Sequence, residues 1–210
     1  GMGQTLLMTL LTLVIATIIG MIFGLMNVGR NRILNLIGTV YVDAIRGVPL
    51  IVLAYFVFFG IPAGMQGMGM RGFRLSALQA GTIALSLNCG AYMAEIIRAG
   101  IQSVDIGQME AGRSLGLPYW KTMRKIILPQ AIRTMIPSII NQFIITVKDT
   151  SILSVIGFPE LVLAAKNVQA GTFKSFETWT IVGAMYLIVI TILSYLAKIV
   201  ERRVNRGVKR

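Results

Sequence analysis

The chain has 210 residues, 55% of them hydrophobic, yet only 13% are charged, where a soluble domain carries roughly a quarter. With a mean hydropathy of +0.76, this deficit of charge points to a bilayer. No His is present and the single Cys, Cys89, lies in an apolar stretch where it reads as a small packing residue; zinc sites, haem ligation, His-based acid–base catalysis and disulfides are thereby nearly excluded.

Five stretches are long and apolar enough to span, roughly 4–27, 36–60, 76–98, 132–156 and 178–199, which predicts an all-α integral membrane protein. The first carries no charge from Leu6 to Met26 and lacks a basic leading region. It reads as a mature span rather than a signal peptide, whose apolar core is about 7–15 residues. Gly1 in place of an initiator Met suggests a chain processed or cut from something longer, and permits a binding domain fused upstream. After span two, the segment 60–72 is rich in Gly and Met. Its glycines are spaced too irregularly for a helix, so it is expected to be a flexible connector. The segment 99–131 is too polar to span, and 157–177, with Pro159 near its start, reads as another loop. No tandem repeat is apparent, and one membrane domain is expected to fill 1–210.

Basic residues sort by loop. Arg30 and Arg32 follow span one. Arg98, Arg113, Lys121, Arg124, Lys125 and Arg133 lie between spans three and four, and Lys198, Arg202, Arg203, Arg206, Lys209 and Arg210 close the chain. The opposite loops carry only Arg71, Arg74, Lys166 and Lys174. The positive-inside rule puts the N-terminus outside and the C-terminus in the cytoplasm. It also accounts for the net charge of +12 as a skirt facing anionic lipid headgroups rather than nucleic acid.

Within 99–131, Asp105 or Ser103 can cap a short helix whose first turns include Glu110. Gly116 can end that helix in a left-handed conformation, with Pro118 opposing continuation. A second helix is expected from about Tyr119 until Pro129 interrupts it. On composition alone, such a helix could simply rest on lipid. Its residues run Glu110-Ala111-Gly112, three residues, Gly116, nine residues, Ile126, one residue, Leu128-Pro129. This resembles the EAA signature of bacterial ABC-importer permeases: Glu-Ala-Ala, three residues, Gly, nine residues, Ile, one residue, Leu-Pro. Gly112 is the one departure. A glycine there costs about 1 kcal/mol of helix propensity, and is expected to let a partner surface approach closely. Arg46-Gly-Val-Pro49, Ala91-Tyr-Met-Ala-Glu95 with Arg98-Ala-Gly-Ile101, and Lys148-Asp-Thr-Ser151 resemble the polar amino-acid (histidine, glutamine, arginine) branch, most nearly its glutamine and glutamate permeases.

That resemblance implies a type-I transmembrane domain of five spans in a bacterial cytoplasmic (inner) membrane, importing a polar amino acid by alternating access. A coupling helix with Glu110, Ala111, Gly112, Gly116, Leu117 and Pro129 would fit a cleft on a cytoplasmic ATPase dimer. The chain has no Gly-x-x-x-x-Gly-Lys-[Ser/Thr] of its own, so ATP and Mg would be held by that partner and no cofactor is expected here. A second permease chain, identical or a sister, and an external binding protein complete the implied assembly. The other classes considered are an ion-coupled secondary transporter, against which the lack of inverted repeats argues, and a non-transporting anchor.

Lys148 and Asp149 fall inside span four, where an unpaired charge costs at least about 2.5–3.5 kcal/mol. Asn141 and Lys148, and Gln142 and Asp149, are each seven apart and so fall on adjoining stripes two turns along. Lys148 could take a carboxylate and Asp149 an ammonium of a zwitterion, with Asn141, Gln142 and Asn88 of span three reading its side chain. Alternatively Lys148 and Asp149 pair with other helices or a second chain, and Asn88 makes an interhelical hydrogen bond. Gln142, a neutral amide, favours glutamine, glutamate or another polar neutral substrate over a cationic one. Asp43 with Arg46, and Glu95 with Arg98, are spaced as local ion pairs, with a gating or chain-bridging role as the sharper reading.

Overall fold

The computed structural model describes residues 1–29 and 31–205. Arg30, Arg206, Lys209 and Arg210 of the basic loops lie outside the described residues. The described residues are helical without a strand, and five runs are long and apolar enough to cross a membrane: Met2–Val28, Leu50–Gly67, Ala77–Gln102, Tyr119–Ile156 and Ser175–Arg203.

Helix α1 (Met2–Val28) and helix α5 (Ala77–Gln102) form the central pair. In lipid, apolar side chains gain little by leaving the tails, so helices associate through close packing of small residues. The buried positions of α1 follow this rule, running Thr5, Met8, Thr9, Thr12, Ala16, Gly20, Gly24 and Asn27 at helical spacing. A Cβ on Gly24 would stand 2.9 Å from the Ala94 carbonyl oxygen of α5, and one on Gly90 of α5 would stand 2.6 Å from Ile19 Cγ2. Large residues of α1, such as Leu10, Val14 and Ile18, point outward instead. Helix α5 begins at a capping box, in which Ser76 and Gln79 bond each other's backbone N–H. It is the most enclosed span: 61% of its most apolar stretch is buried, against 11% for the last helix, α10 (Ser175–Asn205).

Span two departs from expectation. Helix α2 (Arg32–Gly47) ends at Val48, and helix α3 (Leu50–Tyr55) starts after Pro49. Pro49 has no N–H to continue α2 and forces the residue before it out of the helical region; Val48 accordingly sits at φ −105, ψ 130. Stretch 36–60 therefore straddles a break. The crossing run starts at the break and continues through a π turn (Phe56–Gly60) into α4 (Ile61–Gly67). Much of the segment expected to be a flexible connector is thus helix, with Pro62 just behind the π turn, whose wider turn makes room for a residue without an N–H. Only around Gly69 and Gly72, both at positive φ, does the chain turn as expected.

Between α5 and span four lies α6 (Ile106–Ser114), capped by Asp105, whose side chain accepts from the Gly107 N–H at 2.7 Å. Ser103, the other candidate cap, closes α5 instead by donating to the Gly100 carbonyl. Gly116 adopts φ +80, ending α6 as the sequence predicts. Pro129 does not interrupt the next helix. Helix α7 (Tyr119–Thr122) widens into a π turn (Met123–Ile127) and flows into α8 (Leu128–Asp149). The wider turn absorbs the proline's missing donor and ring bulk. A 3₁₀ turn (Thr150–Ile156) follows, ended by Gly157 at φ +79.

Segment 157–177 is not a loop. Glu160 accepts the Val162 and Leu163 N–H groups at 2.7 Å each and starts α9 (Leu161–Thr172). Pro159 precedes the cap and does not disturb the helix.

Candidate functional site

The break after α2 exposes backbone and turns it toward α5 and α8. There Arg46, Gly47, Val48, Pro49 and Leu50, Asn88 and Tyr92 of α5, and Gln142, Ile145 and Asp149 of α8 line a cavity of 490 Å³. Asn88, Gln142 and Asp149, singled out in the sequence, meet in it. Asn88 is 6% exposed, and its side chain makes no hydrogen bond to another helix among the described residues. Gln142, also 6% exposed, is backed by Thr146 and Cys89: Thr146 Oγ1 donates to the Gln142 carbonyl at 2.9 Å and approaches Cys89 Sγ at 3.3 Å. Cys89 is buried and free, packing behind the cavity.

Asn141 and Lys148 do not line the cavity. Both are exposed, on the stripe of α8 that also carries Thr134 and Ser138. The two adjoining stripes of α8 therefore face different surroundings, one toward the cavity and one out of the chain. The cation in the cavity is Arg46, and sequence reasoning missed its place there. Its signal was the helix break: Val48-Pro49 ends α2 beside Arg46 and so exposes it. Tyr92 was missed likewise; its ring lies 5.2 Å from the Arg46 guanidinium carbon, a cation–π distance.

Arg46 does not pair with Asp43 as its spacing suggested. It reaches across to Glu95 of α5, with Nη1 3.8 Å from Oε2. The Glu95–Arg98 pair forms as expected: Arg98 Nε donates to Glu95 Oε2 at 3.1 Å, Nη2 pairs with Oε1, and Nη1 donates to Gln102 at 2.8 Å. Beyond Glu95 a second cavity of 250 Å³ is lined by Asn27, Asn35, Thr39, Val42, Asp43, Glu95, Arg98 and Gln102.

The segment 110–129 forms a separate surface. Glu110, Ala111 and Gly116 are exposed, Leu117 is half-buried and Pro129 is exposed. Gly112 is the buried residue of α6; a Cβ there would stand 2.5 Å from Thr122 Cγ2 and 3.2 Å from Ile126 Cδ1. The close approach that this glycine allows is therefore within the chain, between α6 and the start of the next helix, and not toward a partner. Three residues unremarked in the sequence stand out: Ile106 is 75% exposed, Leu115 82% and Trp120 77%. Their signal was a large apolar side chain in a polar segment, which a hydropathy average hides.

The family model for the binding-protein-dependent transport system inner membrane component matches residues 16–206. The chain is 37% identical over 205 residues to the glutamine transport system permease protein GlnP of Escherichia coli, covering 98% of this chain and 91% of that protein. To the arginine transport system permease protein ArtQ of Bacillus subtilis it is 35% identical over 205 residues, with the same coverage. The crystal structure of an amino acid ABC transporter with histidines matches with a TM-score of 0.89 and 39% identity, over 97% of this chain and 92% of that one. A five-span helical chain with an exposed loop helix and a polar cavity between its helices, related at this level over nearly its whole length, belongs to the inner-membrane permease components of binding-protein-dependent ABC transport systems, in which the ATPase is a separate subunit.

Proposed function

We propose that the chain imports a polar amino acid, with glutamine or glutamate favoured, through the 490 Å³ cavity. The observation that carries this reading is the cavity's charge inventory: one cation (Arg46), one carboxylate (Asp149) and two neutral amides (Asn88, Gln142). A zwitterion stripped of water needs both charges answered. Arg46 would hold its carboxylate through a forked pair of donors, and Asp149 its ammonium. The amides would then read a polar, neutral side chain. A cationic side chain would require a second carboxylate and an anionic one a second cation; the lining has neither, so glutamine fits it better than glutamate. Relatives named for glutamine and for arginine transport lie at similar identity, so overall identity does not choose between the two cargoes and the lining residues carry this preference.

In this reading the N-terminus is outside and the C-terminus cytoplasmic, as the distribution of basic residues favours. The chain is a single type-I transmembrane domain. The loop helix α6 would seat in the ATPase, with Glu110 and the apolar Ile106 on its contact side and Leu115 exposed at its C-terminal end. The exposed polar stripe with Asn141 and Lys148 would face a second permease chain, because a lone cation toward lipid is costly. An external binding protein would deliver the amino acid.

The test is uptake by the whole transporter in proteoliposomes, with the ATPase and binding protein present. Glutamine uptake that unlabelled glutamate partly inhibits, and arginine does not, is expected. Strong arginine uptake without competition from glutamine would overturn the selectivity.

A further inference from the structure

Arg46 belongs to two environments at once. It lines the larger cavity and touches Glu95, which lines the smaller one. Its hold on Glu95 is the weaker of two. Arg98 engages both oxygens of that carboxylate, while Arg46 reaches only Oε2, at 3.8 Å, beyond ordinary hydrogen-bond length. Neither side chain is deeply buried, with 38% exposure for Arg46 and 29% for Glu95. The rest of the guanidinium is free to turn on the Tyr92 face.

We propose that Arg46 and Glu95 form a substrate-exchanged latch: an amino-acid carboxylate entering the larger cavity takes Arg46 from Glu95 and parts the contact between the two polar chambers. Such an exchange is inexpensive because it leaves no orphan charge. Arg46 gains a forked carboxylate, and Glu95 keeps Arg98. The second chamber, with Asn27, Asn35, Thr39 and Gln102 in its wall, then offers polar contacts at the end of the helix pair nearer the loop helix, the cytoplasmic end in the orientation proposed above. Glu95 is thus a positioning residue that sets how readily Arg46 is given up. The inference rests on the cavity reading of the preceding subsection.

The experiment is calorimetric binding of L-glutamine and of its α-carboxamide to the permease–ATPase complex in nanodiscs, without binding protein. Wild type should prefer the carboxylate form. Arg46→Ala should lower glutamine affinity about 10- to 100-fold and erase that preference. Glu95→Gln should tighten glutamine about two- to fivefold, leave the carboxamide unchanged and slow uptake turnover. If Glu95→Gln fails to assemble, Glu95→Asp keeps the charge for Arg98, withdraws it from Arg46 and should move affinity the same way. Equal weakening of both ligands in the Glu95 variants, or a carboxylate preference that survives Arg46→Ala, overturns the latch even where Asn88→Ala and Gln142→Ala still impair binding. Glutamine binding untouched by Asn88→Ala, Gln142→Ala and Asp149→Asn overturns the cavity reading and the latch together.

Discussion

Gly112 is the clearest case of a single residue acting through its neighbours. An alanine there would gain about 1 kcal/mol of helix propensity. Its methyl would also press on Thr122, which is fully buried, and overpacking of this kind costs about 1–3 kcal/mol. Gly112→Ala is therefore expected to lower the thermal midpoint of the purified transporter. Thr122→Ser, which removes Cγ2 but keeps the hydroxyl near the Pro118 carbonyl, should recover most of that loss. Simple additivity in this double-mutant cycle would contradict the packing account. Glu160 makes a second prediction. Burial pushes its carboxyl above the ordinary glutamate value of 4.5, against the opposing pull of the Val162 and Leu163 N–H groups and Tyr186. A raised folded pKa means that its contribution to stability is full below the unfolded value and is lost as pH rises through the folded one. The difference in thermal midpoint between wild type and Glu160→Gln should accordingly shift against wild type as pH climbs from about 4 through that range. A difference that stays flat or grows with pH would count against it.

At the scale of elements, the sequence reading succeeded where apolar length decided and failed where proline and glycine did. Four of the five expected stretches fall on crossing helices almost whole, because about 20 apolar residues have few alternatives in lipid. Pro49 and Pro129 look alike as letters but act oppositely. The first follows a residue in extended conformation and splits a stretch. The second sits behind a π turn and is carried through. The difference lies in hydrogen-bond pattern, which composition does not express. Helix α9 was missed because its starting signal, Glu160, is an uncommon cap. The loop helix α6 was legible from its Asp105 cap and its Gly116 stop, but the apolar side chains it presents were not. On the proposed docking, Glu110→Lys or Leu115→Asp should leave permease assembly intact while cutting substrate-stimulated ATP hydrolysis by about tenfold or more, as a desolvated interface anchor would require. Measured ATPase stimulation that survives both changes would remove α6 from the coupling step.

For the whole molecule, the lining of the candidate cavity was half legible. Asn88, Gln142 and Asp149 could be chosen as polar residues that a membrane span does not carry without reason. The face each presents could not be chosen, because stripes one residue apart on a helix differ by only 100° and only packing decides which turns inward. That is why Lys148 stands outside the cavity and Arg46, at a helix break, stands within. If the charge inventory of the cavity sets the cargo, adding one carboxylate should change it. Uptake of labelled glutamine and arginine by the full transporter carrying Gln142→Glu is the most direct measurement. A ratio of arginine to glutamine uptake at least about tenfold above wild type is predicted, since a site that answers a buried charge discriminates strongly; an unchanged ratio in a transporter that still imports glutamine would contradict the account.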